Sequence, residues 1–162
     1  STLMRSSAAS DVYKRQMCVC GNRGCLDAYA GELALNRRYQ ELTNSENESY
    51  YTMRDFMKLS RNGDAVSQKI LKDAAFYLGI TISNLIKILE PKMVLIASCE
   101  PLKGTTYWNI MEETIKKYHI NEMETKLELR EAQLLEDDYA LGACCYVFEY
   151  LFETPRLSLA IL

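Results

Sequence analysis

The stretch Cys18-Val19-Cys20-Gly21-Asn22-Arg23-Gly24-Cys25-Leu26-Asp27 sets three thiols close together and separates them with two glycines. Thiolates bind zinc tetrahedrally, and glycine enters φ > 0 without a Cβ penalty. Gly21 and Gly24 therefore let the backbone fold back and bring Cys18, Cys20 and Cys25 to one centre. The spacing predicts a metal knuckle that supplies three ligands where structural zinc sites hold four. The competing reading is three thiols in a loop of a protein from a reducing compartment.

Around the knuckle the composition is that of one globular core. The chain has 162 residues, 48% hydrophobic and 25% charged, enough for one domain or a piece of one. A net charge of −3 leaves no basic excess to neutralise phosphates, so the chain is not expected to bind nucleic acid by itself. Six cysteines without a secretory signal fit a reducing cytoplasm better than a disulfide scaffold. The longest apolar run, 80–89, is interrupted by Thr81, Ser83, Asn84 and Lys87, too polar for a membrane span. A cytoplasmic location without membrane contact is the expectation.

Residues 1–16 differ in character from the rest. Asp11-Val12-Tyr13-Lys14-Arg15-Gln16 looks like the translation of a transposase mosaic end, so 1–16 are expected to be a sequencing-library scar, disordered. After the knuckle, Leu26, Tyr29, Ala30, Leu33 and Ala34 recur at helical spacing, with Asp27 and Glu32 early and Arg37 and Arg38 late. Those charges match the helix dipole and predict a helix over 26–42. Residues 43–49 read as a polar loop, and a short helix over 53–61 is closed by Asn62-Gly63. From Asp64, nine apolar residues from Ile70 to Leu89 keep an i, i+3, i+4 rhythm until Pro91, predicting the longest helix, covered nearly all round.

Met93-Val94-Leu95-Ile96-Ala97 is continuously apolar, the pattern of a parallel strand buried on both faces at a sheet's centre. Trp108, Met111, Ile115 and Tyr118 predict a helix over 105–119, and Leu127 and Leu129 a strand over 126–131, giving a strand-helix-strand crossover. A last helix starts near Asp137 or Asp138 and runs toward Pro155. Cys99, Cys144 and Cys145 read as small core residues. His119, the only histidine, reads as a cation at a helix C-terminus.

The run Cys18 to Ala30 resembles the signature of the ROK family (repressors, open reading frames and kinases), C-x-C-G-x-x-G-C-x-E. The resemblance extends from about Met17 to about Phe152, through Gly63-Asp64, Leu78-Gly79, the 91–97 strand and Leu141-Gly142-Ala143. It implies an α/β fold, the helix-rich C-terminal lobe of an actin-like ATPase (ribonuclease-H-like) sugar-kinase fold, truncated before its first strands. On this reading 17–155 form the lobe with its cysteine zinc knuckle, and 156–162 are a tail. The family's three cysteines and one upstream histidine hold zinc. Here no histidine precedes Cys18, and Asp27 stands where the family has a sugar-contacting glutamate.

The resemblance thus implies zinc on Cys18, Cys20 and Cys25 and sugar contact at Asp27, which a carboxylate stabilising a helix start would explain equally well. The family's kinases place a glycine pair after the strand equivalent to 93–97, where the backbone approaches the nucleotide. Ala97 and Ser98 occupy that turn here, and the first-lobe catalytic aspartate is absent. The expected function is the sugar-sensing and dimerisation part of a ROK-type transcriptional regulator of carbohydrate metabolism. Its effector is a sugar or sugar phosphate, its DNA-binding domain lies outside this chain, and its parent is a homodimer. The alternative is a glucokinase-like ROK sugar kinase, for which alone ATP would be a cofactor. A metal-stabilised scaffold without ligand is a third class.

Overall fold

The computed structural model of the chain describes residues 17–44, 49–98, 100–118, 127–133 and 136–152. Residues 1–16 and 156–162, Cys99 and His119 lie outside the described residues.

The molecule is built on one long helix. Asp64 caps it, its carboxylate accepting the Ser67 amide at 2.7 Å, and the helix runs Ala65–Leu89 (α4). It stops at Glu90, which takes a left-handed conformation (φ 45°) ahead of Pro91. Against it pack Asp27–Ala30 (α1), Glu32–Thr43 (α2), Met53–Arg61 (α3) and Thr106–Tyr118 (α5). Ile70, Leu71, Ala74, Ala75, Ile82 and Ile86 of α4 form one buried stripe with Leu35 from α2, Phe56 and Met57 from α3, and Trp108, Met111 and Ile115 from α5.

The predicted helix over 26–42 is two helices. Gly31 adopts an extended conformation (ψ 155°) that ends α1 and lets α2 leave in a new direction. Thr52 opens α3 with a capping box, in which its hydroxyl accepts the Asp55 amide and the Asp55 carboxylate accepts the Thr52 amide.

Met93–Ser98 (β1) and Glu128–Gln133 (β2) pair in parallel, Met93 opposite Glu128 through Ser98 opposite Gln133, and α5 connects them. This matches the expected strand-helix-strand order. The expected burial of β1 on both faces does not hold. Val94 and Ile96 pack on the core with Leu129, while Met93, Leu95 and Ala97 face solvent, because helices cover only one side of this pair among the described residues. Ala97 and Ser98 are not a turn either, since both are paired within β1, to Ala132 and Gln133.

The long helix is also less covered than predicted. Leu85, Ile88 and Leu89 are exposed, because no described element reaches the outer side of its last turns. The last helix, Glu136–Phe152 (α6), presents Leu141, Tyr146, Val147, Phe148, Tyr150, Leu151 and Phe152 to solvent. Cys144 and Cys145 are exposed on it and are not core residues: helical periodicity marks an apolar residue without saying whether another element lies against it.

Candidate functional site

The knuckle is a tight reversal. The Cys18 amide donates to the Asn22 carbonyl at 2.8 Å and the Gly21 amide to the Cys18 carbonyl at 2.9 Å. Gly21 and Gly24 sit at φ 82° and 80°, a region that a side chain would make costly. The three sulfurs all lie within 4.8 Å of one another, and Cys20 Sγ is 3.5 Å from Cys25 Sγ. A tetrahedral zinc with Zn–S of about 2.3 Å spaces its sulfurs about 3.8 Å apart, so the three thiols are positioned to hold a metal ion and fit zinc.

The electrostatics of the cluster follow from crowding of ionisable sulfurs. A backbone hydrogen bond at Asn22, aided by Cys18 and Cys25, lowers the Cys20 thiol to about 7. The hydrogen bond to Cys20, with burial, holds the Cys25 thiol up at about 11. Negative charges on sulfurs this close oppose one another. A bound cation removes that opposition, since thiolate is the ligand form.

Helix α1 starts directly after Cys25, whose carbonyl accepts the Ala28 amide at 3.0 Å. Ala28 and Tyr29 are buried, and the Tyr29 ring lies 4.9 Å from that of Tyr77 on α4, so the knuckle is anchored to the core through α1. Asp27 is exposed on the opposite side. With Cys18, Leu33 and Arg37 it lines a small depression of about 50 Å³, which puts the knuckle and the sugar-contact candidate in one place. A Cβ on Gly31 would fall 2.0 Å from Asp27 Oδ1, so the carboxylate lies over that glycine.

Sequence reasoning missed two features. Glu32 fastens the 50–53 segment to α2, its carboxylate accepting the Met53 amide at 2.7 Å and the Tyr50 hydroxyl at 3.1 Å. A groove of about 420 Å³ lies between α3, α4 and the loop after β1, lined by Ser60, Arg61, Gln68, Lys72, Thr105 and Tyr107 among others. Lys72, several hydroxyls and Arg61, whose guanidinium lies 4.0 Å from the Glu100 carboxylate, give it a polar, hydrogen-bonding lining beside the apolar Met57 and Leu71. Gly104-Thr105-Thr106, just before α5, was the signal available for it. Burial pushes the Tyr107 phenol up to about 12, so it stays a neutral hydrogen-bonding group.

The chain is 27% identical over 136 residues to the xylose repressor of Bacillus subtilis (strain 168), covering 84% of this chain and 34% of the repressor. It is 25% identical over 135 residues to the glucokinase of Halalkalibacterium halodurans, covering 77% of this chain and 41% of the glucokinase. Among solved structures, a ROK hexokinase from Thermus thermophilus matches with a TM-score of 0.67 at 27% identity, covering 85% of this chain and 45% of that one. The chain thus spans between about a third and somewhat under half of the length of these relatives. Its fold is that of ROK sugar kinases and regulators, the actin-like ATPase type. The sequence profile of the ROK family matches residues 8–149, and the chain belongs to that family.

Proposed function

We propose that this chain is the sugar-sensing and dimerisation part of a ROK-type transcriptional regulator of carbohydrate metabolism, with DNA read by an N-terminal domain outside these 162 residues. The observation that carries this reading is the side-chain-bearing pair Ala97 and Ser98 at the C-terminal end of β1, where open α/β sheets bind ligands and the family's kinases have glycines. Both residues are extended, so the obstruction to a nucleotide is steric. The Ser98 hydroxyl is further committed to Glu100, accepting its amide at 3.2 Å and donating to its carbonyl at 2.8 Å. Similarity to the xylose repressor supports the same reading.

In this function Asp27 accepts hydrogen bonds from hydroxyls of a sugar or sugar phosphate, which a carboxylate does through two oxygens. Cys18, Cys20 and Cys25 would hold zinc as thiolates, three ligands of four, and zinc would supply a structural cross-link. By fixing the start of α1 the knuckle orients Asp27. The acidic balance of the chain leaves DNA contact to the other domain.

The second reading is an ATP-dependent hexose kinase, favoured by the similarity to the H. halodurans glucokinase. ATP would then approach the C-terminal end of β1, at Ala97 and Ser98. Calorimetry on the full-length protein that carries these residues, compared with its Ala97→Gly/Ser98→Gly variant, separates the two. A regulator binds an aldose and does not turn over ATP. Aldose-dependent ATP turnover by the unmutated protein, at the micromolar to millimolar KM usual for enzymes, replaces the regulator with the kinase.

A further inference from the structure

Cys20 and Cys25 are placed for a reaction with each other as well as for a metal. Their sulfurs stand 3.5 Å apart, and a disulfide needs about 2.05 Å, so the approach required is about 1.5 Å. The loop is held by its own backbone hydrogen bonds and lies on the surface. Among the described residues nothing lies within 4 Å of where a Cβ on Gly21 or Gly24 would be, and Val19 is 80% exposed, so a shift of the two sulfurs toward each other leaves the core undisturbed. Cys20 is exposed and open to a dissolved oxidant, while Cys25 is half-buried at the start of α1. The other described thiol pair, Cys144 and Cys145, consists of neighbours on α6. Successive helical residues point about 100° apart, so joining them would break the helix.

We propose that Cys20 and Cys25 form a reversible disulfide on exposure to hydrogen peroxide, and that this disulfide competes with metal on the knuckle. The Cys20 sulfur, as thiolate, attacks one peroxide oxygen. The O–O bond breaks, leaving a Cys20 sulfenic acid and a hydroxide that takes up the thiol proton as water. The Cys25 sulfur then attacks the sulfenic sulfur, the S–S bond forms, and the S–O bond breaks with loss of a second water. Two thiols are oxidised by two electrons and one peroxide is reduced to two waters. The product removes two of the three donors, so metal and disulfide exclude each other. The pairing rests on thiol geometry alone. The competition rests on the knuckle's metal-holding role, and the two are measured separately.

The test is peptide mapping of the reduced, chelator-treated protein after equimolar hydrogen peroxide. Trypsin cuts after Arg23, so Cys20 and Cys25 fall on different peptides and a link between them joins 16–23 to 24–37. Expected are that link, loss of two thiols per chain, and recovery of both with dithiothreitol. The link persists in Cys18→Ser and vanishes in Cys20→Ser and Cys25→Ser. Zinc at about ten times its Kd leaves about a tenth of the sites free and slows the link about ten-fold. A link that survives Cys20→Ser, thiol loss that dithiothreitol does not reverse, or no thiol loss in the unmutated chain overturns the pairing. An unchanged rate with zinc overturns the competition.

Discussion

Cys25 closes the sulfur triangle, so its loss is the sharpest test of the knuckle. Three thiols cannot be reduced to two without giving up a large share of the roughly 10 to 16 kcal/mol available to structural zinc. Cys25→Ser is expected to lower the zinc content of reduced protein to a small fraction of that of the unmutated chain, which itself binds weakly through three ligands of four, read by elemental analysis. Unchanged zinc would remove Cys25 from the ligand set. Gly31 tests the neighbouring proposal at Asp27. Gly31→Ala puts a methyl group where the Asp27 carboxylate and carbonyl lie, 2.0 and 2.6 Å away, and must displace both. Sugar binding by the full-length protein should weaken in Gly31→Ala as it does in Asp27→Ala. Retained affinity in both would leave Asp27 only its place at the start of α1.

Among the elements, α3 depends on its capping box. Thr52→Ala removes the hydroxyl that accepts the Asp55 amide and should cost about 1 kcal/mol in chemical denaturation. Hydrogen bonds from Thr52 hold the Asp55 carboxyl below its ordinary value. A carboxyl depressed by folding stabilises fully above its unfolded pKa, and the benefit is lost as pH falls through the folded value. Thr52→Ala should therefore flatten the loss of stability on acidification below the ordinary carboxylate range. An unchanged acid limb would dissociate the two groups. Gly79 sets how closely α4 and α5 approach, because a Cβ there would meet Thr114 Cβ at 2.7 Å and the Met111 carbonyl oxygen at 2.9 Å. Gly79→Ala should destabilise by about 1–3 kcal/mol through overpacking, visible as a lowered Tm, although alanine is the better helix former. A raised Tm would mean that α4 and α5 separate freely. Ser83 on α4 has a fully buried hydroxyl without a hydrogen-bond partner among the described residues, so Ser83→Ala should leave Tm unchanged or raise it.

At the scale of the molecule, stability is concentrated where α4 meets α3 and α5, and α6 stands apart with its described apolar side chains exposed. A 17-residue helix whose apolar side chains are exposed among the described residues is marginal in water, so α6 amides should exchange with deuterium orders of magnitude faster than those of α4 around Ile70 to Ala75. Equal protection would show that α6 is covered in solution. None of the helix bounds depended on such long-range facts. Met53–Arg61 was legible from its turn signal, the Ala65–Leu89 helix from its periodicity and Pro91, and the thiol cluster from the eight residues Cys18 to Cys25, because neighbouring backbone angles alone bring those groups together. What lies opposite an apolar face is a different question. Leu95, Ile88 and Cys144 carry the same local pattern as buried residues and are exposed, while Gly79 looks like a helix weakness and is a contact point. The groove at Arg61, Lys72 and Tyr107 joins residues from Met57 to Tyr107, 50 positions apart. The helix and strand types, except the break at Gly31, and the sulfur triangle follow from local geometry and were legible in the chain, as was the family from its motif. Which faces are covered, how near α4 and α5 come, and where a ligand-sized space opens depend on packing between segments distant in the chain, which no local pattern carries.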